Sequence, residues 1–109
     1  MLIFTFLLLG SPLASCVEFQ GGKVTGYIPS DLNGKLLLLV RLEGNVSGGC
    51  NTSGRFAIDS SLPRYKSILV ALMGAYHAQT PVMIAYTQTC NAFGNSWGID
   101  YVCIGNVPC

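Results

Sequence analysis

Five cysteines, one histidine and five carboxylates are the side chains of this 109-residue chain whose chemistry could go beyond hydrogen bonding. Glu18, Asp31, Glu43, Asp59 and Asp100 are scattered, each where a solvated strand or turn residue would stand. Acid and base catalysis usually needs two titratable groups whose surroundings drive their pKa values apart, and no such pair is legible. Ser67, His77 and Asp100 could be assembled into a nucleophilic triad, but no G-x-S-x-G elbow supports it. His77 near the end of a helical stretch is more simply a partner of the helix dipole. Gly48-Gly49 precedes a cysteine and a turn, not a helix, so it does not cradle phosphate. Zinc sites pair close ligands as in C-x-x-C, whereas Cys50 and Cys90 stand alone and His77 is the only imidazole. The chain therefore reads as a non-enzyme with no catalytic residue, cofactor or metal.

The cysteines point to export instead. Residues 1–15 carry no charge and contain the apolar run Leu2-Ile3-Phe4-Thr5-Phe6-Leu7-Leu8-Leu9, broken by Gly10-Ser11-Pro12. A helix crossing about 30 Å of hydrocarbon needs roughly 20 residues, so the run fits the core of a signal peptide. Leu13-Ala14-Ser15-Cys16 then resembles the lipobox of bacterial lipoproteins, in which the cysteine thiol receives a lipid. The expected address is the outer membrane or periplasm, with Cys16 as the lipid attachment and the lipid as the sole membrane anchor. Cleavage after Cys16, giving a secreted protein, is the alternative. Either route leaves Cys50, Cys90, Cys103 and Cys109, which in an oxidising compartment read as two disulfides. Of the three pairings, Cys50 with Cys90 and Cys103 with Cys109 is expected, because the first two sit in loops that a closed barrel brings together and Cys109 ends a short tail.

Composition narrows the partners. With 6 basic against 5 acidic side chains and no basic cluster, nothing could neutralise a row of phosphates, so nucleic acid is excluded as a partner. Half the residues are hydrophobic and only 10% are charged, an excess that a leader, a buried interface or both must absorb. Asn45-Val46-Ser47 and Asn51-Thr52-Ser53 match glycosylation sequons, a pattern common by chance.

One domain over residues 16–109 must position whatever site exists. Alternation predicts strands over residues 23–28, 35–43, 55–59, 82–90 and 97–104. Val24 and Ile28 are expected on one face, Phe56 and Ile58 inward, and Asn33-Gly34 suits a type I′ hairpin. In the second strand Leu36, Leu38, Val40 and Leu42 share one face, leaving Leu37 and Leu39 on the outer one. Ser61 offers an N-cap, Pro63 fits a first turn, and Ile68, Leu69, Leu72, Met73 and Tyr76 repeat at helical spacing until Pro81 forces a stop. Val70, Ala71, Gly74 and Ala75 then have no partner within a monomer. Together with Leu37 and Leu39 they predict self-association through the helix around Val70 and Gly74.

Three strands, a helix and two strands is the order of the OB-fold, a five-stranded Greek-key barrel, and a mainly β, OB-like barrel of order β-β-β-α-β-β is the expected fold. The stretch from Cys50 through Pro63, Tyr65, Leu69, Ala71, Leu72, Ala75 and Tyr76 to Val82, Ile84, Tyr86 and Cys90 resembles small exported proteins of Gram-negative bacteria. More faintly it is similar to the B subunits of AB5 toxins such as subtilase cytotoxin and typhoid toxin. The resemblance implies the fold; those B subunits form pentamers that bind sialylated glycans, but no glycan-contacting position matches here. The expected function is a non-enzymatic binding module of the envelope recognising a glycan or protein, with Trp97, Tyr101 and Tyr86 as aromatic contacts. A small periplasmic inhibitor or structural lipoprotein is the alternative.

Overall fold

A computed structural model of the chain describes residues 17–44 and 46–109. The leader and Cys16, on which the lipid expectation rests, lie outside the described residues. Six strands and one helix follow in the order β1 (Val17–Gly22), β2 (Val24–Leu32), β3 (Lys35–Leu42), β4 (Phe56–Asp59), α1 (Tyr65–Ala78), β5 (Val82–Thr87) and β6 (Trp97–Ile104). They form one sheet of order β1-β5-β6-β4-β3-β2, antiparallel except where β4 runs parallel to β6.

The fold is mainly β with one helix, as expected, but the strand count is six and β1 and β2 are unpaired edges in place of the seam of a closed five-stranded barrel. The added strand is β1. Its alternation is short and ends in Gly21-Gly22, with Gly22 at φ +147, so the periodicity lapses just where the chain bends into β2. Only Lys23 separates the two edge strands. Its carbonyl accepts the Glu43 amide at 3.0 Å, and the Gln20 side-chain amide donates to the Gly44 carbonyl at 2.8 Å.

The β2–β3 hairpin turns at Asn33 and Gly34, whose φ values of 53 and 80 are those a type I′ turn requires. Beyond the turn, side chains alternate between the two faces. Leu38, Val40 and Leu42 join Phe56, Ile58, Val82, Ile84, Tyr86, Trp97 and Ile99 on one face, under Tyr65, Ile68, Leu72 and Ala75 of α1. Leu36, at the hairpin tip past the end of the helix-covered core, is 54% exposed; Ile28, expected to share a face with Val24, is 48% exposed while Val24 is buried, the register slipping between Val24 and Gly26.

The helix departs from expectation at its start and along its stripe. Arg64, not Ser61, is the N-cap residue and gives no side-chain cap; Ser61 lies three residues earlier, bonded to Asp59. The buried stripe is Tyr65, Ile68, Leu72 and Ala75, so Ala75 faces the sheet while Met73 turns outward. Gln79 closes the helix in the left-handed conformation, its amide reaching back to Tyr76 at 3.2 Å.

Leu37 and Leu39, expected on an open outer face, are buried with Ala57 beneath Ala92 and Phe93 of the loop after β5. That burial removes them from any self-association patch. Two disulfides are present, Cys50–Cys90, which ties this loop to the one after β3, and Cys103–Cys109, which folds the tail onto β6. Buried polar groups bind the loops further. The Ser53 hydroxyl meets Ser96 Oγ at 3.0 Å and donates to the Asn95 carbonyl at 2.8 Å, while Asn51 Oδ1 accepts the Gly54 amide at 3.0 Å. Asn51 is 1% exposed, so its sequon is a structural element. Among the described residues, no helix is long and apolar enough to cross a membrane.

Candidate binding cleft

The three aromatic side chains expected to meet a ligand are not brought together. Tyr86 and Trp97 are 6% and 4% exposed and stack on each other at 5.1 Å, with Phe56 at 5.0 Å from the Tyr86 ring. Both are core residues: burial of the ring pushes the Tyr86 phenol up, with Glu18 adding to the shift. Tyr101 alone reaches the surface, on the opposite face of β6, where it meets Phe19 edge to face at 6.3 Å and donates to the Cys109 carbonyl at 3.2 Å. His77 is exposed in the last turn of α1, its Nε2 3.4 Å from the Tyr27 hydroxyl.

A polar cleft opens elsewhere, where two parallel strands part company. The β4–β6 ladder has only two pairs, Phe56 with Trp97 and Ala57 with Gly98. After Asp59 the chain turns away toward α1, while β6 continues to Ile104 beside β5. Crevices beyond the carboxyl ends of parallel strands are recurrent ligand positions in open sheets, because backbone and side-chain polar groups there are freed from the ladder. The cleft has a volume of about 390 Å³ and a floor of Ala57, Ile58, Ile99 and Leu62.

Its rim is made of side chains that both donate and accept. Thr87 and Thr89 hydroxyls meet at 3.0 Å, and the Thr89 carbonyl accepts the Gly98 amide at 2.9 Å. Strand β5 thus ends at Thr87, short of the expected Cys90, since the chain from there turns its polar groups to β6. Gly98 makes room, because a Cβ there would stand 3.3 Å from the Thr87 hydroxyl. Asn91 adds an amide.

Both signs of charge line the same space. Arg64 binds Asp100 twice, donating to its carboxylate at 2.7 Å and from Nε to its backbone carbonyl, which fixes the guanidinium at the rim. Asp59 Oδ1 accepts the Ser61 hydroxyl and, at 2.9 Å, the Ser61 amide. The Ser61 hydroxyl bond holds the Asp59 carboxyl below its ordinary value of 3.8, against a desolvation that works the other way; the Ser61 amide and the charge of Lys35 help. A general acid needs a carboxyl pushed up, so Asp59 is built as an acceptor and not as a proton donor.

Arg64, Thr87, Thr89 and Asn91 were not foreseen as site residues. Thr87-Gln88-Thr89 between an apolar strand and a cysteine was a visible signal, but Arg64 and Asp100 meet only through the parallel pairing. Among the described residues, no group of three His, Cys, Asp or Glu side chains could hold a metal ion. Set against protein-family models, curated proteins and solved structures, the chain matches none of them.

Proposed function

We propose that this protein is an exported, non-enzymatic binding module of the bacterial envelope, and that its ligand is a glycan held in the cleft between β4 and β6. The observation that carries the reading is the mixed rim over an apolar floor: hydroxyls, an amide, a fixed guanidinium and a carboxylate kept ionised. Sugar hydroxyls both donate and accept, and a rim of this composition can satisfy both roles at once. Protein partners are recognised chiefly through buried aromatic and Arg anchors, and no aromatic side chain lines this cleft.

Two disulfides support the exported address, since such bonds persist in oxidising compartments. Lipidation at Cys16 is part of the same proposal. The OB-like barrel also stays a proposal, favoured by one feature of the chain order. If β1 and β2 are counted as a single first strand bent at Lys23, the sheet order becomes the cyclic one of a five-stranded Greek-key barrel with its helix between the third and fourth strands. OB-folds bind oligosaccharides among other ligands. Self-association through α1 is retained in reduced form: Val70 is 63% exposed, Met73 36%, and Gly74 lies beside them.

A glycan array with the oxidised protein tests the function. Retention of at least one glycan class, lost in Asn91→Ala and in Arg64→Ala, is the expected result. No retention, together with capture of one envelope protein in a pull-down, favours the inhibitor or structural lipoprotein instead. Metabolic labelling with a palmitate analogue should mark the protein and fail in Cys16→Ser. Light scattering should show an oligomer that Val70→Glu dissociates.

A further inference from the structure

We infer that a second site, separate from the cleft, binds an oxyanion carried on an apolar body, in a pocket that Arg41 and Arg55 share with Gly26. In the β3–β4 ladder Leu39 pairs with Ala57 and Val40 with Phe56. The ladder ends there, and Arg41 and Arg55, the next residue on each side, line one pocket. Like charges sharing one pocket repel, and guanidinium groups do not escape by losing a proton. Among the described residues no carboxylate forms an ion pair with either. The one ion pair among the described residues is Arg64 with Asp100, and Glu43, two residues beyond Arg41, is turned to the Lys23 amide at 2.9 Å.

Protein acceptors use little of their donor capacity. Each guanidinium has five N–H groups. Arg41 Nη2 donates to the Ser53 carbonyl at 2.7 Å, and Arg55 Nη2 to Asn95 Oδ1 at 3.2 Å. Arg55 also lies over the Phe93 ring at 5.8 Å, so both groups are held in place by the loops they touch. Beside them the β2–β3 register slips between Val24 and Gly26, and Gly26, paired with Arg41, leaves open space where a Cβ would stand. The result is a pocket of about 510 Å³ lined by both arginines, Gly26, Ile28 and Leu39.

Volume and lining select the ligand. The pocket exceeds a bare ion, and Ile28, 48% exposed, offers apolar contact beside a forked, preorganised pair of cations. Guanidinium groups in pairs suit carboxylates and sulfate or phosphate esters alike. An organic anion of that kind would remove the like-charge repulsion and cover Ile28 together.

Titration of the oxidised, ¹⁵N-labelled protein with acetate, hexanoate and sulfate, followed by NMR, tests the site. Saturable shifts are expected at the Arg41 and Arg55 Nε–H signals and at the Gly26 amide, with hexanoate about tenfold tighter than acetate through burial of methylenes. Arg41→Gln should weaken hexanoate by roughly tenfold or more, the cost of a charged hydrogen bond. Gly26→Val, which fills the pocket and keeps both arginine side chains, should abolish binding while leaving the fold intact. Sulfate tighter than acetate assigns an ester, and the reverse order assigns a carboxylate; either order supports the site. Shifts that are absent, that spread equally over all the lysines and arginines, or that survive Gly26→Val would overturn it. Thr87, Thr89 and Asn91 should not move, which keeps this outcome distinct from the glycan cleft.

Discussion

On the helix-covered face of the sheet, Leu38, Phe56, Ile58, Ile84 and Leu72 are buried to within 2% exposure and belong to one apolar cluster. On the opposite face the buried apolar cluster is Leu37, Leu39 and Ala57, under Ala92 and Phe93 of a loop that a disulfide ties down. The helix face is closed mainly by aliphatic and aromatic side chains, and the polar groups of Tyr65, Tyr86 and Trp97 are buried with them. The loop face is closed by tethers and buried hydrogen bonds; the cleft opens along that loop, and the arginine pocket opens beside Arg55, which Asn95 and Phe93 of the same loop hold. A small domain that cannot build two apolar cores can hold a second surface with staples, and the polar groups which the staples free from packing become available to ligands.

The strongest way to break that contrast is to remove the tether. Cys50→Ser with Cys90→Ser opens a loop with a sequence separation of 40 and should cost about 4 kcal/mol in the chain-entropy model. Denaturant unfolding gives the magnitude. Amide exchange gives the location: Leu37 and Leu39 should lose protection well before Leu72. Leu72→Ala should cost about 3 kcal/mol by leaving a cavity on the helix face. Here protection should fall on both faces together, because that core underlies the entire sheet.

Smaller effects sharpen the contrast at the cleft. Asp59 has its carboxyl lowered from 3.8 in the folded protein, so it contributes stability above the pKa of the unfolded chain and loses it as pH falls through the folded value. A melting-temperature series in acid should therefore show a decline below about pH 4 that Asp59→Asn and Ser61→Ala both flatten. No residue of the helix-face core should contribute to that acid limb, since its members carry no carboxylate.

How far these features were legible depended on the distance over which each is encoded. The alternation through residues 35–42 carried both faces of β3, and Asn33-Gly34 carried its turn, because side-chain direction and positive φ are local properties. The stripe of α1 was legible as helical but rotated by one residue toward Ala75, since close approach to the sheet favours a small side chain over Met73. Strand β1 was missed because Gly21-Gly22 ended its short pattern. The cleft could not be read at all, for Arg64, Thr87 and Asp100 converge only after a parallel pairing of two strands separated by a helix and another strand. Tyr86 and Trp97 misled for a related reason: large aromatics read equally well as ligand platforms or as core, and only their mutual stacking decides it.

The claim that function sits at the loop-covered end of the sheet is tested most directly by titrating the oxidised, ¹⁵N-labelled protein with a panel of neutral mono- and disaccharides. Saturable shifts confined to Thr87, Thr89, Asn91, Gly98 and Asp100 for at least one sugar, lost in Asn91→Ala, are the predicted result. Shifts for no sugar, or shifts centred on Val70 and Gly74 of the helix, would contradict it.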